Sequence, residues 1–282
     1  MKNKTKLVLG LAAMLGVTAA AGTTSGFAWF TTTRTATVNF DNAVVYNKAA
    51  DLSITYSPIT NGGVTSSASS VTGNSFVLTG NTSPITDISG NGATFYRPTW
   101  QPGQDGIIAT ACPTVSNTSS VFYYVQFGVT FTNNGTKAAN VYLDSGSSVA
   151  AGGTATATDI QAAKATRVSV YEGSTLMTIW QDDKTDTLTG YQYISSATGT
   201  AYTSYATLSA PDSATFHEGA FASVITGFTP ANGQLVASLD AAGGTKPSTM
   251  LTFTLWIEGT LSTAVNAAIG GKVQTALHFA AL

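Results

Sequence analysis

The sequence predicts an all-β protein, a sandwich or barrel with one or two short helices. Two observations carry this reading. Runs of β-branched and aromatic residues alternate with period two, the signature of strands with one apolar face. The segments between them are rich in Gly, Asn, Asp and Ser, the residues of turns. Charged residues make up only 9%, against about 25% in an ordinary soluble domain. The 282 residues include 47 Thr and 28 Gly, so the surface is built from hydroxyls and amides. Aromatics at 10% are ample for a core, which argues against disorder. With 12 Lys and Arg in all, no dense basic patch can neutralise phosphates, so nucleic acid is not an expected partner.

The first segment reads as an export signal. Lys2, Lys4 and Lys6 precede an eleven-residue apolar run, Leu7 to Val17, and small residues follow from Thr18 to Gly26. The run is shorter than the roughly 20 residues that span a bilayer, and the order is that of a secretory signal. Two cuts fit: after Ala28, leaving Trp29 first, or after Ala21. The first is favoured. Residues 1–28 are then a signal peptide and 29–282 a single domain. That cut removes three Lys and no acid, leaving 9 basic and 14 acidic residues, a net of −5.

Strands follow in order. Trp29 to Phe40 places Phe30, Ala36, Val38 and Phe40 on one face. Asp51 to Tyr56 alternates Leu52, Ile54 and Tyr56. Ser75 to Leu78 is short. Val121 to Thr132 has Val125, Phe127, Val129 and Phe131 on one parity, and the turn Asn133-Asn134-Gly135 ends it, where Asn and Gly tolerate positive φ. Val141 to Leu143 returns. Arg167 to Tyr171, Leu176 to Trp180, Ser204 to Leu208, Gln234 to Leu239, Thr249 to Ile257 and Lys272 to Phe279 complete the set. Thr158 to Ala165 reads as a two-turn helix with Thr158 as its cap. Ser262 to Ile269, ended by Gly270 and Gly271, reads as a second. The Ser/Thr/Gly/Asn-rich stretches 59–94 and 183–215 read as long loops or inserted hairpins, because branched and aromatic residues recur in them.

Catalytic constellations are absent from the sequence. His217-Glu218 begins like a zinc-protease motif, but the position four residues after His217 is Phe221, where that motif needs a second His. His278 is remote in sequence. Cys112 is the single cysteine; it can form no internal bridge and reads as a buried apolar filler. The acidic cluster Asp182-Asp183-Lys184-Thr185-Asp186 offers oxygen ligands for Ca²⁺ but lacks the Gly and terminal Glu of an EF-hand loop, so a solvated turn is preferred. No catalytic residue, metal site or cofactor is expected.

The two ends of the chain, and pieces of its middle, resemble one family. Ala28-Trp29-Phe30 followed by Thr31-Thr32-Thr33, at the end of the export signal, is similar to the exported Firmicutes proteins processed by a SipW-type signal peptidase. That family includes the TasA fibre proteins and the camelysins. Phe127 to Thr136, with its Asn-Asn-Gly turn, and Ala165-Thr166-Arg167-Val168 resemble internal segments of the family. Trp256-Ile257-Glu258-Gly259, with Gly270-Gly271-Lys272-Val273, resembles its ending. The family's usual Asp after that Gly, and the Cys soon after, are missing here.

The resemblance implies a jelly-roll-like β-sandwich, and a secreted structural subunit of an extracellular fibre or biofilm matrix, at the cell surface or beyond it. The implied partners are further copies of the chain, head to tail, with a signal peptidase for processing and matrix or cell-surface components around it. The donor strand would be residues 29–40, with Trp29, Phe30, Ala36, Val38 and Phe40 as its contact residues. It would join the next subunit by β-augmentation. The other outcome for Trp29–Phe40 is to fold back as the first strand of its own sheet. A surface adhesin or glycan-binding sandwich is the alternative function, suggested by Trp100, Tyr191 and Tyr193 as exposed aromatics. The camelysin label of metallopeptidase would imply zinc and a Glu base. The sequence lacks the helix motif for it, and Glu258 reads instead as a carboxylate satisfying backbone donors at a turn. Few Lys guard these Thr-rich strands, which leaves sheet edges open to pairing.

Overall fold

A computed structural model describes residues 36–40, 44–45, 51–61, 64–65, 67–72, 75–79, 88–97, 99–100, 109–111, 113–118, 121–152, 155–183, 192–198, 201–207, 215–221, 234–259 and 271–282. The expected signal peptide, Trp29, Phe30, Cys112, Tyr191, Gly270 and the second helix lie outside these residues. So do the side chains of Ala36, Val38, Phe40 and Trp100.

The described chain is nearly all strand. In order, the strands that build the body are β1 (Ala36–Phe40), β2 (Val44–Val45), β3 (Leu52–Ser57), β4 (Ser89–Gly90), β5 (Phe95–Tyr96), β6 (Thr114–Val115), β7 (Val125–Asn133), β8 (Ala139–Leu143) and β9 (Ser148–Ala151). Helix α1 (Ala157–Lys164) follows, then β10 (Thr166–Glu172), β11 (Thr175–Gln181), β12 (Phe216–Glu218), β13 (Gln234–Leu239), β14 (Ser248–Ile257), β15 (Val273–Leu277) and β16 (Phe279–Ala281). The stretches expected as loops or hairpins contain hairpins: Ser67–Thr72 with Ser75–Thr79, and Gln192–Thr198 with Ala201–Thr207.

Two layers enclose one core. The first is a six-stranded sheet in the order β12-β11-β10-β14-β7-β3. The second consists of β2-β16-β8-β13 and β1-β15-β9. These two sheets are successive legs of one arrangement, because β15 and β16 are a single run broken at His278. Alternation decides what faces inward. Val125, Phe127, Val129 and Phe131 of β7 are buried with Leu251, Phe253 and Leu255 of β14, Val168 and Val170 of β10, and Val141, Leu143, Leu277 and Phe279 of the second layer. Phe127 stacks on Phe253 at 5.4 Å, and Phe279 meets Phe131 edge-on at 4.8 Å across the layers. Both are the favoured ring geometries, worth about 0.5–1.5 kcal/mol beyond burial. The outer face of the β10–β14 region is covered in turn. There Ile88, Phe95, Tyr124, Ile179, Phe216 and Trp256 form a second cluster, with Tyr193 packed on it.

Two details depart from the sequence reading. β7 starts at Val125 rather than Val121, because Asn117 occupies the backbone before it. The Asn117 side chain accepts from the Tyr123 and Tyr124 amides at 2.8 and 3.3 Å and donates to the Tyr124 carbonyl at 2.9 Å. The cap of α1 is Thr156, not Thr158. Thr156 Oγ1 accepts from the Asp159 amide and Asp159 accepts from the Thr156 amide, a complete capping box. The turn after β7 is held by Asn133, whose side chain accepts from the Gly135 amide and donates to the carbonyls of Lys137 and Asp240. The all-β class holds. The pairings β1·β15, β2·β16 and β11·β12 are parallel, whereas a jelly roll is antiparallel, so the strand order does not establish a jelly roll.

Candidate functional site

Two places concentrate the residues singled out by the sequence. The first is the end of β14. Arg167 and Trp256 are cross-strand partners on β10 and β14, so both side chains project from the outer face of the sheet. Glu258 follows two residues after Trp256 and turns back beneath it. Its Oε2 lies 3.0 Å from Arg167 Nη1 and accepts from Trp256 Nε1 at 3.1 Å. Arg167 Nε donates to Gln181 Oε1 at 2.9 Å, and Gln181 Nε2 to the Asp183 carbonyl at 3.1 Å. Arg167, Glu258 and Trp256 are all 0% exposed. The backbone closes over them: the Glu258 amide donates to the Ala165 carbonyl, and Ile88 exchanges bonds with Ile257 and Gly259.

In this geometry the Glu258 side chain neutralises a buried guanidinium and accepts from an indole N–H. A carboxylate sealed from solvent and paired to Arg167 has the form of a structural ion pair, since a general base must reach its substrate's proton. Neutralisation is needed here because an unpaired charge in this position would cost several kcal/mol.

Segments that the sequence singled out separately are brought together by these contacts. Ala165 to Val168 and Trp256 to Gly259 meet through Arg167 and Glu258. Gly271 meets the helix: a Cβ there would stand 2.5 Å from the Ala162 Cβ and 2.6 Å from the Thr158 carbonyl oxygen. The next residue, Lys272, donates its amide to Asp159 Oδ1 at 2.6 Å. Hydrogen bonds from Thr156 and from that amide hold the Asp159 carboxyl below its usual range. Arg167, Trp256, Glu258, Gly259 and Gly271 thus fasten one corner of the sandwich, where α1, β10, β14 and β15 converge.

The second place is the edge where the first and last described strands meet. β1 runs parallel to β15 from Ala36↔Val273 to Phe40↔Leu277, and β2 runs parallel to β16 at Val44↔Ala280 and Val45↔Ala281. Ala36, Val38 and Phe40 therefore lie on a sheet edge of their own chain. On the other side of β15 is β9, antiparallel, with Val149 opposite Thr275. Thr275 is fully buried and its Oγ1 has no hydrogen-bond partner.

Other sequence candidates resolve as packing. His217 stacks on Phe221 with centroids 4.3 Å apart, and its Nε2 lies 3.3 Å from the Ala220 carbonyl oxygen. Phe221, the residue that spoils the zinc motif, is thus a ring partner of the histidine. His278 sits at the break between β15 and β16. Its amide donates to Ser147 Oγ and its carbonyl accepts from the Asp144 amide, both at 3.0 Å. The two histidines belong to different layers. Tyr193 is half-buried against the second cluster rather than exposed. Among the described residues, no group of three His, Cys, Asp or Glu could hold a metal ion.

One role escaped sequence reasoning. Asp182 Oδ2 accepts the Val149 amide of edge strand β9 at 2.8 Å. Burial pushes its carboxyl up, offset in part by that bond, raised by Asp183 and lowered by His217. An acid that follows a strand could have signalled this, but only pairing order shows which edge it caps. A cleft lined by Val149, Ala151, Ile160, Ala163, Lys164 and Asp182 runs beside it.

No family model, no curated protein and no solved structure matches this chain. Among the described residues, no helix is long and apolar enough to cross a membrane.

Proposed function

We propose that the chain is a secreted structural subunit of an extracellular fibre, joined to further copies through its N-terminal strand by β-augmentation. The observation that carries this reading is the placement of Ala36–Phe40 at a sheet edge, parallel to Val273–Leu277. A terminal strand in that position has all its ladder bonds with one neighbour, and a second copy can offer the same neighbour. Backbone pairing supplies affinity and alternate side chains supply register. A head-to-tail contact of this kind does not close on itself and so propagates. The low charge and the export-type first segment support the same reading.

The test is imaging of the secreted chain across a range of concentrations, beside Val38→Pro. Proline in this ladder removes a donor and is tolerated poorly in paired strands. Fibres from the parent chain and none from the variant are expected. Monomers alone from the parent at every concentration would sink the reading.

A further inference from the structure

Beyond the export-type first segment, the sequence Asn-x-Ser/Thr, with x other than Pro, occurs at Asn81, Asn117 and Asn134. In an exported chain this is the acceptor sequence for N-linked sugars, and it is used where the chain lies at the surface. Asn81 falls outside the described residues. The other two have opposite surroundings. Asn117 is 6% exposed, and its side chain is spent on the backbone ahead of β7. It accepts from the Tyr123 and Tyr124 amides and donates to the Tyr124 carbonyl. A sugar on its nitrogen would have to enter the packed body, so this occurrence is closed.

Asn134 stands open in the turn between β7 and β8. Asn134, Thr136, Lys137 and Ala138 are exposed, and Gly135 among them has no side chain. The preceding Asn133 holds the turn. Its side chain accepts from the Gly135 amide and donates to the carbonyls of Lys137 and Asp240. Asn134 is tied by its backbone, whose amide donates to the Asp51 carbonyl at 2.7 Å. Its side chain donates from Nδ2 to Ser53 Oγ at 3.3 Å, a long and exposed bond. A side-chain amide nitrogen carries two N–H groups, so one can be replaced by a sugar while the other keeps Ser53. There is room outward as well. Ser53 is itself exposed, and it belongs to β3, the last strand in the order of the six-stranded sheet.

We propose that Asn134 is an N-glycosylation site. The substrate is an oligosaccharide carried on a lipid phosphate, and a membrane glycosyltransferase performs the transfer. Asn134 Nδ2 bonds to the anomeric carbon of the first sugar. The bond from that carbon to the phosphate oxygen breaks, and the lipid phosphate leaves with the electron pair. The amide loses one proton to the medium, and nothing is oxidised or reduced. The Thr136 hydroxyl, two residues on, completes the acceptor sequence. The inference rests on the export part of the proposed function and adds a modification to it.

The test is peptide mapping by mass spectrometry of the exported chain, taken from the cells that make it, with fragmentation to locate any sugar. Asn134 should carry an oligosaccharide and Asn117 none. Asn134→Gln and Thr136→Ala should each abolish the modification, and Thr136→Ser should retain it. Ser119→Ala breaks the acceptor sequence at Asn117 while keeping that side chain, and should leave the sugar on Asn134 unchanged. An exported chain whose Asn134 is bare, or merely converted to Asp, overturns the site and leaves the export reading standing. A sugar on Asn117 in place of Asn134 overturns it too. A chain found only inside the cell overturns the export reading and the site with it. A sugar on Asn134 of a chain that never forms fibres keeps the site and overturns the fibre reading instead.

Discussion

Arg167 and Glu258 show how much a single side chain can decide. Both are fully buried and joined at 3.0 Å. Glu258→Ala takes a carboxylate away from a buried guanidinium 3.0 Å off, and should cost about 3–5 kcal/mol. Replacing both, as Arg167→Met with Glu258→Leu, should cost much less than the two single changes together. Urea unfolding of the four chains in this cycle measures it. Thr275 offers the opposite case. Its buried hydroxyl lacks a partner, and an unsatisfied group of this kind costs about 1–3 kcal/mol. Thr275→Val should therefore raise stability by about 1 kcal/mol, read from the same urea transition. Asp159 links stability to pH. Its folded pKa lies below the ordinary 3.8 because Thr156 and the Lys272 amide bond its carboxylate. A depressed carboxyl stabilises fully above the unfolded value, and the stabilisation is lost as pH falls through the folded value. The melting temperature of Asp159→Asn should accordingly fall less steeply than that of the parent as the solution is acidified through and below the ordinary carboxyl range.

The helix and the last strand are joined where Gly271 passes α1. A methyl group there would overlap Ala162 and the Thr158 carbonyl, so Gly271→Ala should force them apart at about 1–3 kcal/mol. Hydrogen exchange should then rise in α1 before it rises in β7 or β14. The elements themselves were largely legible. Gln234–Leu239 matches the period-two run to the residue. Thr249 to Ile257 is extended only by Ser248, because alternation and length suffice when one face is buried. The misses have physical causes. Ser148–Ala151 and Phe216–Glu218 are too short to show a period. Val121 to Tyr124 has the pattern of a strand, yet its backbone is taken by Asn117. The split of the last strand at His278 depends on the turn Asp144–Ser147, which lies far off in sequence. The corner of Arg167, Glu258 and Gly271 was visible as separate motifs, but that they meet was not. Which strands neighbour one another is set by long-range pairing, and no local signal encodes it.

For the whole molecule, the scarcity of charge turns from a composition into a behaviour. The edge Val273–Leu282 carries no charged residue, and pairing there relies on backbone bonds and apolar contact. If the chain forms the proposed fibre, its assembly should therefore respond weakly to ionic strength. Light scattering between about 0.01 and 1 M salt, where the screening length falls from 30 to 3 Å, should show rates within a few-fold of one another. A contact steered by opposite charges would slow steeply over that range. The pairing of β1 with β15 also orders events in time. Partners such as Ala36 and Val273 lie far apart along the chain, and contacts of long sequence separation form late because loop closure must come first. A chain emerging from its amino end exposes its first strand from the outset, while the surface that receives it exists only when the last residues have followed. During that interval the earliest part of each molecule is the part most available to a neighbour already complete.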